Sequence, residues 1–254
     1  MYIDQKIVSQ ALIQGQVLLF KEIDSTNEYL LTHYKQLENG SLCVAETQTA
    51  GRGRRGRQWY SPQSQNLYFS MLWHYPSKHI KQLSSLSLVV SVLIAEVFQA
   101  LNVPNIQIKW PNDIYHNGKK MGGILIESRV DHCGVYLVIG IGLNLGMKNV
   151  DDAIVTQAWS DLSDYQIDRT QLVAHLATHL QQALQRYPQT GFADYIERWQ
   201  AFDIFRNQAV KLVTGSDEIH GISLGINGEG ELMLRQGDIV RCFAIGEVSL
   251  RVTK

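Results

Sequence analysis

Apolar residues recur at intervals of three and four from Leu83 through Leu86, Val90, Leu93, Ile94, Val97 and Phe98 to Leu101, a spacing that predicts a well-buried helix. A second long helix is predicted over residues 168–187, with Leu172, Val173, Leu176, Leu180 and Leu184 on one face, and a shorter one over 194–201. Short runs rich in aliphatic and aromatic residues predict strands at 17–20, 42–45, 66–73, 106–110, 124–128 and 136–145. Residues 114–120 read as a hairpin turning at Asn117-Gly118. Asp24-Ser25-Thr26-Asn27-Glu28 offers an N-cap with a Ser-x-x-Glu capping box, so a helix is expected to enter there.

Beyond Phe205 the texture changes to short alternating strands, at 209–213, 219–226, 231–234 and 239–252, joined at Gly215-Ser216 and Asn227-Gly228. That pattern predicts a small β-barrel. The chain is therefore divided into residues 1–205, a mixed α/β unit, and residues 206–254, a unit near the lower size limit for independent folding and expected to lean on the first.

Composition alters this picture little. Of the 254 residues 45% are hydrophobic and 19% charged, which excludes a disordered or collagenous chain. The net charge of −1 leaves no global positive field for nucleic acid or an anionic membrane, so any basic function is local. The first residues lack the layout of a signal peptide and no apolar run approaches the ~20 residues of a membrane helix, so a cytoplasmic protein is expected. Cys43, Cys133 and Cys242 match neither a disulfide framework nor zinc spacing and read as small buried or semi-buried side chains. His175 and His179 lie one helical turn apart, but Leu176 replaces the Glu of H-E-x-x-H and no third ligand is evident.

The local basic feature is Gly51-Arg52-Gly53-Arg54-Arg55-Gly56-Arg57. Its glycines let the backbone come close to a ligand, and its arginines present planar forks suited to phosphate or carboxylate. The glycines spell G-x-G-x-x-G, yet a dinucleotide site needs a following helix and an acidic residue about 20 positions on. Here Pro62 intervenes, and no Asp or Glu occurs between Gly51 and Ser91. A P-loop fails because Arg57-Gln58 replaces its Lys-Ser/Thr pair. A bound phosphorylated or carboxylated small molecule remains, with an Arg-Gly segment that binds RNA as the rival from another class.

The loop does not stand alone. Ser25-Thr26-Asn27, Glu46-Thr47-Gln48, the Arg-Gly loop with Trp59, Lys109-Trp110-Pro111-Asn112-Asp113, Lys120 ahead of Gly122-Gly123-Ile124-Leu125-Ile126-Glu127, and Gly140-Ile141-Gly142-Leu143-Asn144 follow one another in order. Together they resemble the biotin protein ligases, and Gly246-Glu247-Val248-Ser249-Leu250-Arg251 resembles the end of that family's small C-terminal domain. The resemblance implies an α+β protein: a mixed α/β catalytic domain related to class II aminoacyl-tRNA synthetases, binding biotin and ATP over residues 1–205, and an SH3-like C-terminal domain over 206–254. It implies that biotin and ATP, with Mg2+, give biotinyl-5′-AMP and pyrophosphate, and that a lysine of a biotin carboxyl carrier protein then takes the biotinyl group. With only about 24 residues ahead of Ser25, a monofunctional ligase without an N-terminal DNA-binding domain is expected. The resemblance leaves a homodimer open.

Carried over by similarity, Ser25, Thr26, Asn27, Gln48, Gly51, Arg52, Gly123 and Leu125 bind biotin. Arg54, Arg55, Trp59, Lys109, Asn112, Lys120, Gly142, Asn144 and Arg251 bind the nucleotide. Arg52, Lys120 and Asp113 are the catalytic candidates, with Lys120 on the acyl-phosphate oxygen and Arg52 as the nearest clamp. Asp113 is open between base, orienter of the incoming amine and metal contact, and Trp59 between a flat wall for the ligand and a loop anchor. The ligands of the metal are unassigned. A lipoate ligase is the enzymatic rival.

Overall fold

In the computed structural model residues 3–63, 66–76, 83–147, 158–214, 217–244 and 248–252 are described. The elements run α1 (Gln5–Ala11), β1 (Val17–Phe20), α2 (Thr26–His33), β2 (Leu42–Ala45), β3 (Leu67–Tyr75), α3 (Leu86–Ala100), β4 (Ile106–Lys109), β5 (Asp113–His116), β6 (Lys119–Asp131) and β7 (Gly134–Leu143). There follow α4 (Arg169–Thr190), α5 (Ile196–Phe202), β8 (Ala209–Thr214), β9 (Asp217–Ile226), β10 (Leu232–Gln236), β11 (Ile239–Phe243) and β12 (Val248–Val252).

The first seven strands form one sheet in the order β1-β2-β3-β7-β6-β5-β4, parallel between β1 and β2 and antiparallel elsewhere. Side chains alternate across a strand, so each strand sorts its residues between two faces. Leu42 and Val44, Phe69, Met71 and Trp73, and Leu137 and Ile139 enter the main core, which α3 and α4 cover. Cys43, Leu72 and Val138 fall on the opposite face and meet Leu30 and Leu31 of α2 in a second, smaller cluster. α2 covers only part of that face, and the remainder is the floor of a cleft.

The helices carry the expected signals. Asp168 caps α4 by accepting from the N–H groups of Thr170 and Gln171, and Gly191, at φ +62°, ends it. Ser25 Oγ accepts from the Glu28 N–H, but the return arm of the capping box is missing because the Glu28 carboxylate pairs with Arg52. α1 was not anticipated: it has seven residues, buries only Val8 and depends on an Asp4 cap, too short a pattern to read. Asn117 and Gly118 both have positive φ, as a two-residue hairpin turn requires.

The last five strands form an antiparallel sheet in the order β11-β10-β9-β8-β12. The single strand expected over 239–252 is in fact two, on opposite edges of this sheet. The joint at Gly215-Ser216 lies outside the described residues, while β9 and β10 are joined through 227–231, where Asn227 Oδ1 accepts from the N–H groups of Glu229 and Glu231. This loop grips the larger unit: the buried Trp110 indole donates to the Gly230 carbonyl at 3.1 Å and Ser85 Oγ donates to the Glu229 carbonyl at 2.7 Å. Of the cysteines only Cys43 is buried, its thiol pushed up to about 12 by burial, whereas Cys133 and Cys242 are exposed, contrary to expectation. They lie at a hairpin tip and on an edge strand, where a small side chain has nothing to pack against. Among the described residues no helix is long and apolar enough to cross a membrane.

Candidate active site

The free face of the large sheet carries a register in which three glycines and a serine lie side by side. Tyr68 and Ser70 of β3 pair with Gly142 and Gly140 of β7, which pair in turn with Gly123 and Leu125 of β6. Three glycines on neighbouring strands leave the backbone bare, and what fills the space shows why. A Cβ on Gly140 would lie 2.2 Å from Asn27 Oδ1, and one on Gly142 would lie 2.7 Å from the Trp59 ring. One on Gly123 would come within 3.3 Å of the same ring. The result is a cleft of about 720 Å3, a size suited to a small-molecule substrate.

At its α2 end the floor is a continuous chain of hydrogen bonds. Ser70 Oγ, fully buried, donates to Asn27 Oδ1 at 2.6 Å and lies 2.7 Å from Thr26 Oγ1. Gln48 Oε1 accepts from the Thr26 N–H at 2.9 Å, Gln48 Nε2 donates to Ser61 Oγ, and Ser61 Oγ donates to the Trp59 carbonyl. Asn27 Nδ2 donates to a Glu127 oxygen at 2.9 Å, and the other Glu127 oxygen accepts from Arg52 at 2.7 Å. Arg52 also pairs with Glu28.

The rest of the cleft is cationic. Among the described residues Arg54, Arg55, Arg57, Lys109 and Lys120, with Arg52 between them and the floor, line the cleft with one carboxylate, Asp113. Lys120 Nζ lies 2.7 Å from Asp113 and 5.5 Å from the centroid of the Trp59 ring. Lys109 Nζ donates to the Tyr115 hydroxyl at 3.2 Å. Burial, and then the neighbouring Arg55 charge, push the Arg54 guanidinium below its ordinary pKa, while Asp113 pulls the other way. The Trp59 indole nitrogen is buried with no hydrogen-bond partner among the described residues. A crowd of cations and an orphaned N–H donor fit a ligand that brings several anionic oxygens.

Among the expected site residues whose side chains are described, all but Gly51 line this cleft. Gly51 sits behind the loop, where a Cβ would lie 2.4 Å from the Trp59 carbonyl, so it sets the loop's path and does not reach the floor. Arg251 lies on β12 opposite Lys211, and its side chain is outside the described residues. Asn112 bridges two elements, accepting from Arg54 at 3.0 Å and donating to the Ile124 carbonyl. Asn144 is buried and donates to the Ser160 carbonyl. His175 and His179 stack 6.3 Å apart on α4 beside a second cavity, away from the sheet face. Sequence reading missed Ser70, Tyr68 and Glu127; a lone serine in the apolar run Leu67–Tyr75 was the available signal for the first.

Comparison with known proteins agrees with this geometry. Residues 19–144 match the model of the biotin/lipoate A/B protein ligase family, and residues 197–251 match that of the biotin protein ligase C-terminal domain. The bifunctional ligase/repressor of Escherichia coli is 42% identical over 240 residues, covering 93% of this chain and 74% of that protein. The biotin–[acetyl-CoA-carboxylase] ligase of Paracoccus denitrificans is 31% identical over 220 residues, covering 84% and 91%. The structure of the Aquifex aeolicus biotin protein ligase in complex with biotin and ATP superposes with a TM-score of 0.82 at 28% identity, covering 93% of this chain and 99% of that one. With two family models matched in sequence order, a relative 42% identical over most of both chains, and a glycine-floored cleft lined by the motif residues of the first region, the chain belongs to the biotin/lipoate A/B protein ligase family.

Proposed function

We propose that the protein is an ATP-dependent ligase that activates biotin as biotinyl-5′-AMP and transfers it to a lysine of a biotin carboxyl carrier protein. The observation that carries this reading is the division of the cleft into a polar floor and a rim where, among the described residues, six cations gather with one lining carboxylate. In the first step a biotin carboxylate oxygen attacks the α-phosphorus of MgATP and pyrophosphate leaves. In the second the carrier's lysine amine attacks the acyl carbon, AMP leaves with the bonding pair, and the amine gives up a proton.

Ser25, Thr26, Asn27 and Gln48 are the groups we assign to the ureido ring, with Gly123 and Leu125 as its wall; a buried urea needs acceptors for two N–H groups and donors for its oxygen. Arg52 is assigned to the carboxylate, and Arg54, Arg55, Lys109 and Asn112 to the phosphates. Gly142, Trp59 and Asn144 are assigned to the base end. Lys120 is the charge we place against the oxygen on which negative charge develops, and its partner Asp113 is the one lining carboxylate able to receive a proton or approach the magnesium ion of MgATP. Since Asp113 already holds Lys120, orienting that ammonium is the role its geometry favours.

We further propose the functional division at 205/206, with Leu250 as the residue of the smaller unit that, among the described residues, reaches the cleft. Free thiols at Cys133 and Cys242 fit action in a reducing compartment such as the cytoplasm. The deciding experiment incubates the protein with MgATP, a carboxylase carrier domain and either biotin or lipoate, and weighs the carrier. A mass gain of one biotinyl group is expected. A gain with lipoate alone would assign the other branch of the family, and no gain with either would overturn the reading.

A further inference from the structure

Resting on the ligase reading, we infer that Glu127 is a positioning residue that aims Arg52 and ties it to the ring pocket, while Glu28 is the carboxylate that an incoming substrate anion displaces. Glu127 lies on β6 opposite Val138, two residues beyond Leu125 on the same face. One of its oxygens accepts from Arg52 at 2.7 Å and the other from Asn27 at 2.9 Å. Asn27 in turn is over-determined: Ser70 donates to its oxygen, and its carboxamide fills the space over Gly140. A buried, fully bonded amide thus orients a carboxylate, and the carboxylate orients a guanidinium on a glycine-rich loop.

Glu28 holds the same guanidinium from the first turn of α2, but its side chain is 39% exposed against 20% for Glu127. An exposed ion pair contributes little to stability, so a substrate carboxylate or phosphate can replace Glu28 at small cost. Glu127 stays, because leaving would also take from Asn27 Nδ2 its shorter bond, at 2.9 Å, and leave it only the Leu125 carbonyl at 3.3 Å. Substrate therefore finds Arg52 held in place by one carboxylate and exchanges with the other.

The two carboxylates should give opposite effects. In biotin-dependent ATP–pyrophosphate exchange, Glu28→Gln is expected to lower KM for biotin by about 2- to 5-fold, the scale of an exposed ion pair. Glu127→Gln is expected to raise KM on the order of 10-fold, more than it lowers kcat, because it weakens a charge-assisted hydrogen bond that only positions. The same variant should release more acyl-adenylate, read as biotin on bystander lysines when no carrier is present. Glu127→Asp keeps the charge but cannot reach both donors, so it too should raise KM and serves if the Gln variant does not fold. Shifts of KM in the same direction for Glu28 and Glu127 variants would overturn the inference, as would a wild-type KM in both Glu127 variants. If the wild type shows no biotin-dependent exchange, it is the ligase reading that fails.

Discussion

The polar floor over Gly140 and the cationic rim over Gly142 and Gly123 share the same three strands yet are stabilised differently. On the floor, Thr26, Asn27, Gln48 and Ser70 bond to one another, so its polar side chains have partners before any ligand arrives. At the rim, among the described residues, six cations line the cleft with one carboxylate, Asp113, Arg52 being also paired with Glu28 and Glu127, and the Trp59 N–H lacks an acceptor. The first arrangement preserves a shape. The second gathers positive charge, and its loop is held against mutual repulsion by the backbone bridge between Arg52 and Gln58, by the Arg52 pairs with Glu28 and Glu127 and by the Arg54–Asn112 hydrogen bond. On the reading proposed above, the ring is met by the rigid floor, and charge is met by the Arg-Gly loop together with Lys109 and Lys120 on strands β4 and β6.

Variants can break this contrast. The largest effect is expected for Lys120→Ala, which removes a preorganised charge from the rim: single-turnover adenylation should slow by ~10²–10³. Biotin affinity measured by calorimetry without ATP should change far less. Loss of biotin binding with normal adenylation at saturating biotin would assign Lys120 to the floor instead. Next comes Arg52→Gly, which should increase labelling of bystander lysines on the order of 10-fold as the clamp on the acyl-adenylate is lost. A variant as selective as wild type would remove Arg52 from that role.

Ser70→Ala tests the floor. It leaves Asn27 Oδ1 buried without its donor and should cost about 1–3 kcal/mol in urea unfolding. Biotin affinity should fall with stability, whereas the rim variants should unfold like wild type. The smallest effect sharpens the comparison without mutation: amide exchange at residues 51–57 should slow when biotin and ATP are added, while α2 changes little. Equal protection of both regions before and after ligand would show that the rim is as preformed as the floor.

Much of this was legible in sequence because the chemistry sits in short runs. Asn117-Gly118 specifies its turn through local φ preference alone, and the α3 and α4 stripes follow from burial on one or all sides of a helix. What escaped depends on register. Gly140, Ser70 and Leu125 come together only because three antiparallel strands pair in one alignment, and Glu127 meets Asn27 across 100 positions of chain. No local pattern reports such pairings. The division of residues 239–252 into two strands was likewise hidden, since an apolar alternation does not say to which edge of a sheet each half goes.

The hydrogen bond from Trp110 to Gly230 bears on how such a protein can be altered by insertion, deletion or fusion. Gly230 has φ +81°, and a Cβ there would lie 2.8 Å from the Leu88 side chain and 2.9 Å from Ser85 Oγ. Any side chain there would strain the backbone and push Leu88 and Ser85 aside, and Trp110 directly precedes the Pro111-Asn112-Asp113 stretch that shapes the rim. A tail exchanged for that of a relative would have to bring the same glycine to the same point. The two units are consequently expected to be inherited as a matched pair, since recombination that separates them would disturb the cleft from behind and also replace Leu250, which lines it.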